Sequence, residues 1–305
     1  MTASPQPHDA LWTAVAAAGL IDDTGDTEWR RLTGGYHNDV YLVGGRRGPL
    51  VVKHFVAGST NPLFPQLPND EYRALRHLAG RAIAPDPVGF IADVSGRAVL
   101  IYRYVDGAMW TTGVGEVGRL LRRVHDVPLP DGLRSLPSSS MSVMQQARSI
   151  AESIGHPWVT STSDWGRLCG ELAMAGLSSA EPGPTLVHTD CGPGNIVVAD
   201  DGLRLIDWQC PGVGDPVEDL AAFASPAIQL LYRCRPLDTG SVSELLEGYG
   251  DSSAVERFPV ARRAFHIRFA AYCAYRIAEL SVTDPAVAAR YARALTAELD
   301  LLESL

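Results

Sequence analysis

The hydrophobic positions of the first hundred residues follow a strand pattern. Two runs of β-branched and aliphatic residues, Val40–Val43 and Leu50–Val56, are separated by glycines and arginines, which is typical of a β-hairpin. A third apolar run, Ala98–Tyr104, predicts another strand. Between these strands we expect a helix that Asn69 caps and that ends at Leu78. The pattern therefore predicts a small β-rich first domain, residues 1–104.

The pattern changes to helix after residue 105. Apolar side chains at Val114, Val117, Leu120, Leu121 and Val124 lie on one face of a helix. A short β segment interrupts the helices, with strands at 185–187, 196–199 and 203–206. We therefore predict an α+β protein whose second domain, residues 105–305, is mainly helical, with further helices over 143–154, 164–178, 241–249, 254–280 and 285–303.

The composition excludes several classes of protein. The chain has 305 residues, of which 46% are hydrophobic and 20% charged, which is too apolar for disorder. No run approaches the roughly 18 apolar residues of a membrane span, and Leu11–Ile21 lacks the basic flank of a secretory signal. The 5 cysteines contain no C-x-x-C spacing, so we expect neither a disulfide framework nor a zinc site. These features favour a cytoplasmic protein that is a monomer or a homodimer, with no membrane partner.

The charge is unevenly distributed. Residues 1–105 hold 10 basic and 10 acidic residues, whereas residues 106–305 hold 16 basic and 25 acidic ones, so the formal net charge of −9 lies in the second part. This balance argues against a nucleic acid partner, because phosphate backbones need a basic surface. It suits either a cationic small molecule in an acidic cleft or simply a solvated acidic surface. Of the 26 basic residues, 25 are arginine, and Lys53 is the single lysine.

The densest polar signal is the segment His188–Asn195, which is followed by Asp207. A strand leads to Asp190, Asn195 precedes the next strand, and a tight turn brings Asp207 back towards them at the end of a third strand. Two carboxylates and a carboxamide would then meet at one edge. Such hard oxygen ligands suit Mg²⁺ and leave a third group to accept a proton. We interpret His188 as a structural residue.

This pattern resembles the aminoglycoside phosphotransferase and choline kinase family, over about residues 30 to 225. The resemblance implies a protein-kinase-like bilobal fold, with a nucleotide-binding lobe over 1–104 and a catalytic and acceptor-binding lobe over 105–305. It implies that Asp190 is the catalytic residue and that Asn195 and Asp207 bind the metal. The segment around Asp215 and Asp219 is similar to the sequence that follows this motif in the family. We interpret Asp219 as a structural residue that holds the loop and Asp215 as a helix N-cap.

The first lobe would bind the nucleotide. The pair Gly34 and Gly35, followed by Asn38, resembles the glycine loop of the family, in which backbone N–H groups approach phosphate oxygens. Lys53 lies in a strand that looks buried, so its charge needs a partner, and Glu71 on the next helix is the natural one. The resemblance implies that Lys53 binds the α- and β-phosphates.

The segment with Tyr102 and Tyr104 resembles the hinge between the lobes, where adenine would bind. The acceptor would bind among carboxylates and aromatic rings of the second lobe, a combination that suits an amine or a quaternary ammonium group. Arg268 leaves an anionic acceptor open, and Phe265 and Phe269 suit a core as well as a pocket. The residues predicted to contact the acceptor are Trp208, Glu247, Asp251 and Tyr272.

The expected function is therefore a Mg²⁺-dependent phosphotransferase. It would move the γ-phosphoryl group of ATP, with GTP left open, to a hydroxyl of a small cationic acceptor. That acceptor would be an aminoglycoside or other antibiotic, an amino alcohol or an amino sugar. A metabolic choline or ethanolamine kinase and a non-catalytic nucleotide-binding protein are the alternatives. Gln209 stands where choline kinases tend to have an acidic residue, which counts against the first of these.

Overall fold

The computed structural model describes residues 9–21, 28–32, 38–58, 61–155 and 183–305. Contacts between Cα atoms divide the chain into two compact units. The first contains Met1–Ala108 together with Ala199–Cys210, and the second contains Met109–Val198 and Pro211–Leu305. The segment 199–210, which the predicted boundary assigns to the second domain, groups with the first unit. Gly34, Gly35 and the predicted helix over 164–178 lie outside the described residues.

An antiparallel sheet of five strands forms the first unit. Its strands stand in the spatial order β1-β2-β3-β5-β4. The predicted hairpin is confirmed, since β2 and β3 pair with Val40 opposite Lys53. Strand β4 is absent from the predictions because Pro87, Gly89 and Asp93 interrupt its apolar pattern. The strands are β1 (Trp29–Arg31), β2 (Asp39–Gly45), β3 (Gly48–His54), β4 (Pro87–Val94) and β5 (Arg97–Arg103).

Among the described residues of this unit, two helices accompany the sheet, α1 (Asp9–Ala17) and α2 (Pro68–Leu78). Apolar side chains of α1 pack in one core with Val52 and Ile101 of the sheet. The end of α2 at Leu78 is as predicted, but Asn69 is not its cap. The helix begins one residue earlier, at Pro68, with no side-chain cap. Proline lacks an N–H and has φ preset for a helix, so it is favoured in the first turn.

The second unit is mainly helical. Strand β7 (Thr185–Val187) pairs antiparallel with β10 (Gly212–Gly214). The predicted helices that lie within the described residues are confirmed to within a few residues at each end, whereas the short helix α6 was not predicted. The helices are α3 (Val114–His125), α4 (Ser140–Glu152), α5 (Val217–Ala224), α6 (Pro226–Leu231), α7 (Thr239–Tyr249), α8 (Ser252–Leu280) and α9 (Pro285–Ser304). The remaining strands of the described chain are β6 (Ala108–Met109), β8 (Ile196–Ala199) and β9 (Gly202–Leu205), of which β9 belongs to the segment 199–210 of the first unit.

Helix α3 buries the apolar face that its sequence predicts and packs against α7. At Gly118 a Cβ atom would stand 2.2 Å from the carbonyl oxygen of Leu245, so only glycine permits this close approach. Helix α8, the longest of the described helices with 29 residues, packs against α4, α5 and α9. Within the described parts of the chain, no helix combines the length and the hydropathy needed to cross a bilayer.

Candidate active site

The first unit contains a cluster of three charged side chains, Lys53, Glu71 and Asp207, with the buried lysine at its centre. Lys53 lies in β3, 2% exposed, on the strand face opposite to Val52 and the α1 core. Its Nζ donates to both carboxylate oxygens of Glu71, at 2.9 and 2.7 Å. It also donates to Oδ1 of Asp207 at 2.5 Å. The predicted pairing of Lys53 with Glu71 is confirmed, and Asp207 is a second partner.

The charges of this cluster are set by burial and by one another. Burial alone would lower the pKa of Lys53, but the carboxylates of Asp207 and Glu71 outweigh it and hold that pKa well above its ordinary value. Burial raises the pKa of Glu71 to about 7, against the opposing effect of the Lys53 charge. The lysine therefore stays an ammonium at physiological pH. Asp207 has 34% of its side chain exposed, whereas Lys53 and Glu71 are buried.

The segment around Asp207 is held by its backbone. Asp207 has a φ of 59°, which is costly for a residue with a Cβ atom. The N–H of Leu67, just before α2, donates to the carbonyl of Gln209 at 2.9 Å. Trp208 is completely buried, and its Nε1 donates to the carbonyl of Leu205 at 2.9 Å. Trp208 thus anchors this turn, and its burial contradicts the predicted contact with an acceptor.

In the second unit, a loop that follows β7 carries Asp190. Its start is fixed by Asp219 of α5, which is completely buried. One carboxylate oxygen of Asp219 accepts from the backbone N–H of His188 at 2.8 Å, and the other accepts from that of Thr189 at 2.7 Å. Thr189 has a φ of 71°. The predicted role of Asp219, holding the loop through hydrogen bonds, is confirmed.

Asp219 is supported by His125 and Tyr249, two residues that the sequence analysis did not connect with this loop. Nε2 of His125 lies 3.1 Å from a carboxylate oxygen of Asp219, and Nδ1 of His125 lies 3.0 Å from the hydroxyl of Tyr249. A carboxylate only accepts, so in the neutral imidazole Nε2 is the donor and Tyr249 donates to Nδ1. Burial alone would raise the pKa of Asp219, but the bonds from His125 and from the loop backbone hold it below its ordinary value.

The loop itself brings Asp190 and Asn195 together. The carbonyl oxygen of Asp190 accepts from the side-chain amide of Asn195 at 2.8 Å and from the N–H of Gly192 at 2.9 Å. The N–H of Asn195 donates to the carbonyl of Gly192 at 2.9 Å. Asn195 is 5% exposed, whereas Asp190 is half-buried. Since the amide nitrogen of Asn195 is engaged by Asp190, its carboxamide oxygen is the atom left for a metal ion.

Each unit offers an oxygen of a kind that suits Mg²⁺. Asp207 offers a partly exposed carboxylate and Asn195 a carboxamide oxygen. Mg²⁺ prefers such oxygens, takes only one or two from a protein and completes its shell with phosphate and water. Asp207 belongs to the first unit and Asn195 to the second.

Three other residues predicted for nucleotide binding lie in the first unit. Oδ1 of Asn38 accepts from the N–H of Val56 at 3.0 Å, which leaves its amide nitrogen as the possible phosphate donor. Tyr102 is buried within β5, and burial raises its pKa well above the ordinary value. The N–H of Tyr104 donates to the carbonyl of Pro49 at 3.1 Å, so this N–H is not the one that would meet adenine.

The predicted acceptor contacts do not form one pocket. Asp251 caps α8 by accepting from the N–H of Ala254 at 2.9 Å, and it pairs with Arg122 at 2.6 Å. Tyr272 is buried 21 positions further along the same helix, which is roughly 30 Å away at 1.5 Å per residue. Glu247 lies exposed on α7. Asp251 and Tyr272 therefore cannot contact one small acceptor together, and Asp251 has a structural role as a helix cap.

The two units together define a class of fold. A β-sheet lobe and a mainly helical lobe are the architecture of the protein-kinase-like small-molecule kinases, as predicted. Choline kinase LicA from Streptococcus pneumoniae matches with a TM-score of 0.64 at 18% identity, over 94% of this chain and 97% of that one. Residues 28–263 match the model of the phosphotransferase enzyme family, and the chain belongs to that family.

Two curated proteins give closer matches over shorter stretches. Streptomycin 6-kinase of Streptomyces griseus is 32% identical over 144 residues, which are 47% of this chain and 40% of that protein. Thiamine kinase of Escherichia coli (strain K12 / DH10B) is 30% identical over 157 residues, which are 50% of each protein. The chain thus spans about half the length of the curated relatives it matches.

Proposed function

We propose that the protein transfers the γ-phosphoryl group of ATP to a hydroxyl of a small cationic acceptor, in the cytoplasm. The observation that carries this proposal is the buried ammonium of Lys53, held between Glu71 and Asp207 in a chain of the phosphotransferase enzyme family. Burying the charges of Lys53 and Glu71 has a desolvation cost that their pairing offsets only in part, so a structural role alone would favour apolar residues here. A fixed ammonium beside a partly exposed carboxylate suits the phosphates of a nucleotide with its metal ion.

The residues of the first unit would bind the nucleotide. Lys53 would contact the α- and β-phosphates, and Glu71 would keep its ammonium in place. Asn38 would add a side-chain donor to the glycine loop. Asp207, together with Asn195 of the second unit, would hold Mg²⁺. When bound, this ion neutralises the negative charge of the phosphates.

The loop of the second unit would activate the acceptor. Asp190 is half-buried, so a hydroxyl can reach its carboxylate. That carboxylate would orient the hydroxyl and take its proton as the new bond to phosphorus forms. Asp219 fixes the backbone just before Asp190 through two amides, so the carboxylate is positioned before the acceptor arrives. Positioning of this kind supplies much of the catalysis in phosphoryl transfer.

A cationic acceptor is supported by two observations. Residues 106–305 carry 25 acidic and 16 basic residues, an excess that attracts cations. The substrates in the names of the relatives, streptomycin, thiamine and choline, are all organic cations with a hydroxyl group. The streptomycin relative favours an antibiotic acceptor, whereas the thiamine relative favours a metabolic one. We place antibiotics first because that match has the higher identity.

A screen of ADP release in the presence of Mg²⁺ and ATP tests this proposal. The acceptors would be streptomycin, other aminoglycosides, thiamine, choline and ethanolamine, and the matched control is Asp190→Ala. We expect ADP release with one class of cation and none from the variant. Nucleotide binding without ADP release for every acceptor would favour the alternative of a non-catalytic nucleotide-binding protein.

A further inference from the structure

Two glycines of the Asp190 loop need an explanation that backbone conformation does not give. Gly192 has φ −111° and ψ 165°, an extended conformation that any residue adopts. Gly194 does not lie in the left-handed region either. A side chain at these positions would therefore cause no backbone strain, and the reason for glycine must lie in what surrounds the loop.

The ring of Tyr232 occupies the space that both side chains would need. A Cβ atom on Gly192 would stand 2.3 Å from Cε2 of this ring, and one on Gly194 would stand 2.1 Å from Cδ1. Both distances are far below the 3.0 Å that Cβ contacts in proteins respect. The two atoms belong to opposite edges of the ring. Tyr232 therefore lies across the loop with one edge against each glycine.

The ring is presented by a well-fixed piece of chain. Tyr232 follows α6 directly, and its N–H donates to the carbonyl of Ile228 at 3.1 Å. Just after it, the N–H of Cys234 donates to the carbonyl of Gln229 at 2.9 Å. Gln229 is completely buried, and its side-chain amide donates to the carbonyl of Phe223 at 2.7 Å. Hence the backbone that carries the ring is held in place next to the end of α6.

We propose that Tyr232 is a positioning residue of the phosphoryl-transfer site, an inference that rests on the proposed function. The hydrogen bonds to the carbonyl of Asp190 stabilise the loop internally, and the ring of Tyr232 stabilises it by packing against its two glycines. Without the ring, Gly192 and Gly194 gain conformational freedom. Asp190 and Asn195, at the two ends of this loop, then lose their fixed geometry while the nucleotide cluster of the first unit is untouched.

The deciding experiment measures amide hydrogen exchange of Gly192 and Asn195, whose N–H groups donate within the loop. The variants are Tyr232→Ala and Tyr232→Phe, which keeps the ring. Tyr291→Ala is the matched control, because it removes another half-buried ring of the same unit. We expect exchange at both amides to become at least tenfold faster in Tyr232→Ala only. Unchanged exchange in that variant, or equal acceleration in Tyr291→Ala, would overturn the proposal.

A double-mutant cycle tests the contact itself. Gly194→Ala should lower the thermal midpoint by about 2–6 °C, because it forces a methyl group into the ring. In the Tyr232→Ala background the same change should cost little, since the ring is gone. An equal loss in both backgrounds would show that the ring is not what excludes the side chain.

Turnover separates this inference from the proposed function. With water as the acceptor of slow Mg²⁺-dependent ATP hydrolysis, we expect kcat to fall at least tenfold in Tyr232→Ala, with a smaller change in KM for ATP because Lys53 and Asp207 of the first unit are intact, and Tyr232→Phe to restore kcat. If Asp190→Ala abolishes turnover while Tyr232→Ala matches the wild type, the positioning role is wrong and the proposed function stands. If the wild type hydrolyses no ATP and phosphorylates no acceptor, the proposed function fails, and the positioning role fails with it.

Discussion

The Lys53 cluster and the Asp190 loop are built in different ways. In the first, side chains from separate parts of the chain meet as opposite charges in a buried place. In the second, the buried carboxylate of Asp219 accepts hydrogen bonds from backbone amides, and the ring of Tyr232 leaves no room for side chains at the two glycines of the loop. Phosphates need fixed charge, whereas an acceptor hydroxyl needs one carboxylate at a fixed position. The comparison therefore teaches that the ammonium of Lys53 is positioned by ion pairs, whereas the carboxylate of Asp190 is positioned by the backbone geometry of its loop.

The largest effect should come from the loop. We expect Asp190→Ala to lower turnover by about 10³-fold or more, because the group that we propose takes the proton is lost. Isothermal titration calorimetry should show ATP binding within about twofold of the wild type, since the Lys53 cluster is intact. Retention of most activity would remove Asp190 from the mechanism and with it the contrast between the two regions.

The hydrogen bonds from the loop to Asp219 should contribute to the stability of the folded protein. Asp219→Ala leaves the amides of His188 and Thr189 and the ring of His125 without their acceptor in a buried place. We expect the free energy of unfolding in urea to fall by about 3 kcal/mol. Asp219→Asn keeps one acceptor oxygen, so its free energy of unfolding should lie between those of the wild type and Asp219→Ala. A loss below about 0.5 kcal/mol for the alanine variant would contradict a backbone-held loop.

The charged cluster should respond through the nucleotide. Lys53→Met removes the ammonium and leaves the Glu71 and Asp207 carboxylates facing the phosphates, so we expect kcat/KM for ATP to fall about 10²-fold. Lys53→Arg keeps the positive charge but in a wider planar group, so it should restore only a part of the lost kcat/KM for ATP. An unchanged kcat and KM for ATP in the methionine variant would show that this lysine has no part in nucleotide use.

The smallest effect should come from the partner of the lysine. In Glu71→Gln the amide oxygen still accepts from Lys53, but the charge that orients the ammonium is gone. We expect kcat/KM for ATP to fall by about tenfold or less, with the Asp190-dependent step unaffected. A loss as large as that of Lys53→Met would mean that Glu71 itself contacts the nucleotide or its metal ion.

Sequence reasoning succeeded where residue type alone constrains the structure. A lysine in a buried strand requires a carboxylate, and Glu71 on the next helix supplied it. Asp219 was correctly expected to hold the loop. Sequence reasoning failed where a residue's role depends on packing between distant parts of the chain. Trp208 and Tyr272 have the chemistry of a cation site but belong to the core, and the type of an aromatic residue does not reveal which role it has.

The same limit explains what was missed. Tyr232 follows the loop by about 40 positions, and no periodicity or motif links its ring to Gly192 and Gly194. Both glycines lie in the segment His188–Asn195 that the sequence analysis singled out, but the glycines alone do not show which distant side chain lies against them. The start of α2 is a smaller example, because Pro68 and Asn69 are adjacent helix-start signals and the proline decided where the helix begins.

One measurement tests the central claim most directly: mass spectrometry of the acceptors after incubation with Mg²⁺ and ATP, for the wild type and for Asp190→Ala side by side. We predict that one cationic acceptor with a hydroxyl, with streptomycin and thiamine the first to try, gains the mass of a single phosphoryl group with the wild type. The same acceptor should stay unmodified with the variant. Equal phosphorylation by the two proteins would contradict the account, as would the absence of any phosphorylated acceptor.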